Sequence, residues 1–118
     1  MIVKRIVANI ATADPQLARR FYGDVLELEV LMDHGWISTY GSARQADLQV
    51  SFATEGGSGT PVPDLSIEVD DVDEACRRMR AAGFVIDYRP ADESWGVRRF
   101  YVRDPFGRLV NILAHVGQ

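Results

Sequence analysis

The chain has 118 residues, 47% hydrophobic and 25% charged, which is the make-up of one ordinary globular domain. Thirteen Lys and Arg stand against 17 Asp and Glu, a formal charge of -4, which argues against a duplex nucleic-acid binder with its basic face. One cysteine, Cys76, excludes an intrachain disulfide and suits a reducing, cytoplasmic compartment. No run approaches the ~20 apolar residues of a membrane span, and the start MIVKRIVANI lacks the cleavage site of a signal peptide.

Residues 3–12 alternate as a strand, with Ile6, Ala8 and Ile10 on one face and Val7 and Asn9 on the other. Asp14-Pro15 then opens a helix: Asp accepts an orphan N–H, and Pro at the first position gives up nothing. Leu17, Ala18, Phe21, Tyr22 and Val25 form its apolar face. Strands come next near 27–33, 36–41 and 46–53, separated by Gly35, Gly41 and the Ser42–Ala46 stretch. Glu55–Pro63, rich in Gly, Ser, Thr and Pro, reads as a linker. A strand at 64–70 leads into a helix capped by Asp71, with Val72, Ala75, Cys76 and Met79 buried and Gly83 as its stop. Strands at 84–89, 97–103 and 108–115 complete the chain, the last two joined by the turn Asp104-Pro105-Phe106-Gly107.

A shift of 57 residues lays Ile10 on Ile67, Asp14 on Asp71, Ala18 on Ala75 and Arg20 on Arg77. Both halves then read strand, Asp-capped helix, three strands. The chain is therefore expected to be one α+β domain of two βαβββ modules, 1–55 and 64–118, joined by a linker at 56–63. A ferredoxin-like layout has room for fewer strands between its helices. A curved antiparallel sheet with helices on its convex face would leave a concave cleft. Alternation assigns Ile6, Ala8, Ile10, Leu65, Ile67, Val69, Val110 and Ile112 to the helix side. It assigns Val7, Asn9, Gln49, Ser51, Asp64, Ser66, Glu68, Arg99, Tyr101 and Asn111 to the cleft.

The paired pattern resembles the vicinal oxygen chelate superfamily, which includes glyoxalase I, extradiol dioxygenases and fosfomycin- and bleomycin-resistance proteins. Three stretches carry the likeness: IVANIATADPQLARRFYGDVLELEV at 6–30, DLSIEVDDVDEACRRMRAAGF at 64–84 and SWGVRRFYVRDPFGRLVNIL at 94–113. The Trp-Gly, aromatic strand and Asp-Pro-x-Gly of the third resemble the bleomycin-resistance branch. The likeness implies four metal positions on strands, which fall here on Val7, Gln49 (or Ser51), Asp64 and Asn111. Val7 has no donor atom, Asn111 stands where a Glu is expected, and a lone Asp64 does not hold a transition metal. Neither a metal nor another cofactor is expected.

Other chemistry is thin. His34 reads as a solvated turn residue, His115 as a terminal one, and Cys76 as core packing. Gly56-Gly57-Ser58-Gly59 lacks the Lys-Ser/Thr of a phosphate loop. The pair Arg98-Arg99 reads as a solvated strand face. Aromatic density stands out instead: Trp36 and Tyr40 on one strand face, Trp95 in a loop, and Tyr101 beside Arg99. Planar walls with a few polar fixers suit a flat organic ligand. The expected function is metal-free binding and sequestration of a planar or cationic antibiotic-like compound, by a protein that forms homodimers. Its site is Trp36, Tyr40, Gln49, Asp64, Glu68, Trp95, Arg99, Tyr101 and Asn111. The alternative is a metal-dependent glyoxalase-like lyase or isomerase, or a dioxygenase.

Overall fold

A computed structural model describes residues 1–42 and 49–116. The expected strand at 46–53 and the turn before it fall partly outside them. The described strands are β1 (Val3–Ala11), β2 (Glu29–Asp33), β3 (Ile37–Gly41), β4 (Gln49–Ala53), β5 (Leu65–Val69), β6 (Ile86–Glu93), β7 (Val97–Arg103) and β8 (Leu109–His115). One α-helix, α1 (Val72–Ala81), lies between β5 and β6. Two compact units share the chain: Met1–Ile6 with Pro63–Gln118, and Val7–Val62. β1 supplies its first residues to one and its last to the other. No described helix is long and apolar enough to cross a membrane.

The unit at Val7–Val62 has the strand order β2-β3-β4-β1. The other orders β5-β8-β7-β6. The fold is the expected α+β pair of βαβββ modules, but the sheet pairing is mixed. β1 runs parallel to β4, with Ala8 opposite Val50, and β5 runs parallel to β8, with Leu65 opposite Val110. Every other pairing within the units is antiparallel. Parallel neighbours need a long crossover, and the helix with its two subsequent strands supplies it.

The second module packs as its sequence predicts. Asp71 accepts a hydrogen bond from Glu74 N–H, capping α1. Val72, Ala75 and Cys76 then meet Val69, Phe100, Val102, Val110 and Ile112 in one core, with Leu65 and Ile67 against it. Arg98 ties α1 to the sheet through Asp73 at 2.9 Å and Asp92 at 3.2 Å. β6 runs further than expected, to Glu93. Pro90 is tolerated because β6 is an edge strand with pairing irregularities around it.

The first module departs from its pattern. Asp14 has the same extended backbone as Asp71 (φ -142° in both) and caps Gln16 N–H. A 3-10 turn at Pro15–Leu17 comes next, then a π-helical run at Arg19–Val25, where Leu26 N–H bonds to Phe21 C=O five residues back. Gly23 sits in that run, and Tyr40 Cε2 lies 3.6 Å from where a Cβ would be. The widened helix packs Ala18 and Tyr22 onto Tyr40 and Phe52 of β3 and β4. The expected apolar face is thereby split: Ala18 is buried, whereas Leu17, Phe21 and Val25 are exposed. The β1 residues Ile6, Ala8 and Ile10 are also exposed rather than covered.

Phe100 has no exposed surface and sits at the centre of the α1 core. Phe100→Ala should lower stability by about 3–5 kcal/mol, and Asp71→Ala by about 1 kcal/mol. Both are read as falls in the urea midpoint.

Candidate functional site

Alternation in the Met1–Ile6 and Pro63–Gln118 unit sends one set of side chains to α1 and the other to the opposite face. On that opposite face, Tyr101, Asn111 and Ser66 stand in register across β7, β8 and β5. Arg99, Leu113 and Glu68 form the next row. Tyr88 of β6 lies opposite Tyr101. The turn Ser94–Gly96 then carries Trp95 back over Arg99, helped by a left-handed Gly96 (φ 88°).

Arg99 is the centre of this face, and it is buried rather than solvated, with 3% of its side chain exposed. Its Nη2 donates to Glu93 Oε2 at 2.7 Å, and its Nη1 to the Tyr101 hydroxyl at 2.8 Å. Three rings box the guanidinium: Trp95 and Tyr101 at 4.9 Å and Tyr88 at 5.2 Å. The Tyr88 hydroxyl donates to Glu93 in turn. The cation for this aromatic cage is thus supplied by the chain itself.

Asn111 behaves differently. Its Nδ2 donates to Ser66 Oγ at 3.1 Å, while its Oδ1 is buried with no hydrogen-bond partner among the described residues. An unsatisfied buried acceptor costs about 1–3 kcal/mol, so this amide is poised to accept a hydrogen bond.

Glu68 is a third feature. One oxygen accepts from Arg5 Nε at 2.6 Å and the other meets His115 Nδ1 at 2.9 Å. Burial pushes the Glu68 carboxyl up, but the hydrogen bonds from His115 and Arg5 outweigh it and hold it below the usual range. His115 is therefore no idle terminal residue.

Of the sequence-predicted residues, Glu68, Trp95, Arg99, Tyr101 and Asn111 share this face. Asp64 does not join them: it precedes β5, is exposed, and has Arg108 at 3.7 Å as its nearest cation. Trp36, Tyr40 and Gln49 belong to the other unit. There Tyr40 is core, packed on Ala18 and Phe52, because it has the helix-facing parity of β3. Trp36 precedes β3 with His34 stacked 6.1 Å away. Gln49 starts β4 opposite Gly41, two residues from Ser51, whose hydroxyl bonds to Thr39. Sequence reasoning misses Arg5, Tyr88, Glu93 and His115. For His115 a signal exists, since it shares the parity of Asn111 on β8.

The donors in the Asn111 row do not fit a divalent ion. Its β5 neighbour is Ser66, not Asp64, so an amide and a hydroxyl stand where carboxylate and imidazole would be needed. No group of three or more His, Cys, Asp or Glu among the described residues is placed to share a metal.

Two consequences are measurable. Glu93→Ala strands the Arg99 charge and should cost about 3–5 kcal/mol in urea unfolding. Because the Glu68 carboxyl lies below its ordinary 4.5 when folded, its contribution is complete above that pH and lost as pH falls through the lowered value. Glu68→Gln should therefore destabilise at neutral pH, and its gap to wild type should narrow as the pH falls below 4.5 and through the lowered value. Midpoints measured across that range check the sign.

No curated protein matches the chain by sequence. Among solved structures it resembles an NAD-dependent benzaldehyde dehydrogenase from Legionella pneumophila (TM-score 0.73, 17% identity, covering 93% of this chain and 98% of that one). It resembles methylmalonyl-CoA epimerase from Mycobacterium tuberculosis (0.66, 16%, 98% and 88%). It also resembles a glyoxalase/bleomycin resistance protein/dioxygenase superfamily member from Vibrio splendidus 12B01 (0.63, 17%, 98% and 100%). At these identities the likeness is one of fold. The sequence profile that matches spans residues 3–112, so the chain belongs to the Glyoxalase/Bleomycin resistance protein/Dioxygenase superfamily.

Proposed function

We propose that this chain is a metal-free small-molecule-binding member of its superfamily, sequestering a flat organic compound on the Asn111 face. The buried, unsatisfied Asn111 Oδ1 carries the reading. It asks for an N–H or O–H donor, and the neighbouring Ser66 hydroxyl offers a second polar contact. Trp95, half-buried and fixed over Arg99, offers an apolar plane. The aromatic cage already holds Arg99, so the favoured ligand is a planar donor whose own cation, where it has one, lies outside the rings. Glu68 is balanced by Arg5 and His115 and is not a free counter-ion. Sequestration of an antibiotic-like compound is the form of this function that the bleomycin-type sequence pattern suggests.

The second reading is a metal-dependent lyase, isomerase or dioxygenase. The superfamily's name and the epimerase fold neighbours favour it. The donors of the Asn111 row speak against it.

Trp95 reports directly on the proposed site. A Trp36→Phe protein should show quenching on titration with planar N–H-bearing aromatics, bleomycin-like compounds included. Asn111→Leu should weaken that binding about tenfold, the value of one good hydrogen bond to a buried acceptor. Silence across a broad compound set, or affinities indifferent to Asn111→Leu, would overturn the assignment.

A further inference from the structure

The unit at Val7–Val62 carries a polar pair of its own. Thr39 of β3 and Ser51 of β4 stand opposite each other, on the face that Tyr40 and Phe52 turn away from. Both are buried, at 5% and 3% exposure. Their hydroxyls share one hydrogen bond of 2.7 Å. Two hydroxyls hold two protons, and one bond uses one of them. Whichever oxygen donates, the other O–H has no acceptor among the described residues. A buried polar group in this state is rare in a native fold and calls for a reason.

The surroundings narrow what would meet it. Asn9 of β1 lies opposite Ser51, and Gln49 stands two residues before Ser51 on the same face of β4. Both are half-buried, so the row opens to solvent beside the hydroxyls. None of the described strand residues of this unit is a Lys or Arg, and Glu29, opposite Gly41, adds an acid at the edge. An anion brought here would lose its water without gaining a counter-charge, a cost that a neutral ligand escapes. The hydroxyl pair matches one neutral group closely. Joined head to tail, it ends in one donor, while the oxygen that donates within the pair keeps lone pairs to accept. A carboxamide carries C=O and N–H side by side, which is the complementary order.

We propose that the Thr39–Ser51 pair is a binding site for a neutral carboxamide. The remaining O–H donates to the amide carbonyl, and the other hydroxyl oxygen accepts the amide N–H. The site lies in a different unit from Asn111 and does not depend on a ligand there.

Calorimetric titration of the full chain with benzamide and 2-naphthamide tests it. At least one should bind, and its carboxylate analogue, benzoate or 2-naphthoate, should bind at least about tenfold more weakly. Thr39→Val and Ser51→Ala should each weaken the amide about tenfold, the loss of one hydrogen bond. Thr39→Ser keeps the hydroxyl and should keep the affinity. The double variant Thr39→Val/Ser51→Ala removes both polar groups together, so its urea midpoint should equal or exceed that of wild type. A midpoint well below wild type would make the pair a structural bond and overturn the proposal. So would amides that fail to bind, carboxylates that bind as well as amides, or an affinity that both hydroxyl variants hold and only Asn111→Leu removes.

Discussion

A guanidinium taken out of water must be neutralised where it stands, and Arg99 organises its unit around that need. Glu93 is placed by the end of β6, Tyr101 by β7 two residues beyond Arg99, and Trp95 by the tight turn between β6 and β7. Each of these groups would have other options alone. Together they fix one geometry, because moving any one exposes or strands the charge. The result is a rigid polar–aromatic patch beside the Asn111 row, on a sheet whose other face is stapled to α1 by the Phe100 core.

That rigidity separates two kinds of polar group on one sheet face. Arg99 and Glu93 pair with each other, and Glu68 pairs with Arg5 and His115, so these charges act as structure. Asn111 Oδ1 is left with an unmet acceptor. A ligand gains most where the protein has left something undone, so the proposed binding centres on Asn111 rather than on the charged residues. The same distinction sets which donors stand near Asn111. Glu68 is committed to Arg5 and His115, and the residue beside Asn111 is a serine.

The second module is legible in the sequence because its signals agree. Asp71, the Val72–Ala75–Cys76 spacing and the period-2 strands all demand one packing, and the structure adopts it. The first module is less legible because its signals conflict. A 3-10 turn and then a π-helical run stand where the spacing predicts one α-helix, and Leu17, Phe21 and Val25 lie outside the core. Strand spacing puts Tyr40 on the open face with Trp36 and Ser38, yet that parity is the one the helix covers. Parallel pairing of β1 with β4 and of β5 with β8 leaves no local mark in the sequence, since it depends on partners more than 40 residues apart. The Arg99 cage is half visible: aromatic and arginine residues cluster in the sequence, but nothing there shows that they satisfy one another. Ion pairs such as Arg5–Glu68 join distant segments, and periodicity alone does not reveal which charges meet.

On this reading the Asn111 face holds an organic ligand through its own amide, hydroxyl and ring groups, with no ion between protein and ligand. Calorimetric titration of chelator-treated protein, against any compound found to bind the untreated protein, tests it most directly. The same affinity and one site per chain are expected after chelation. Binding abolished by the chelator and restored by an added divalent cation would contradict it.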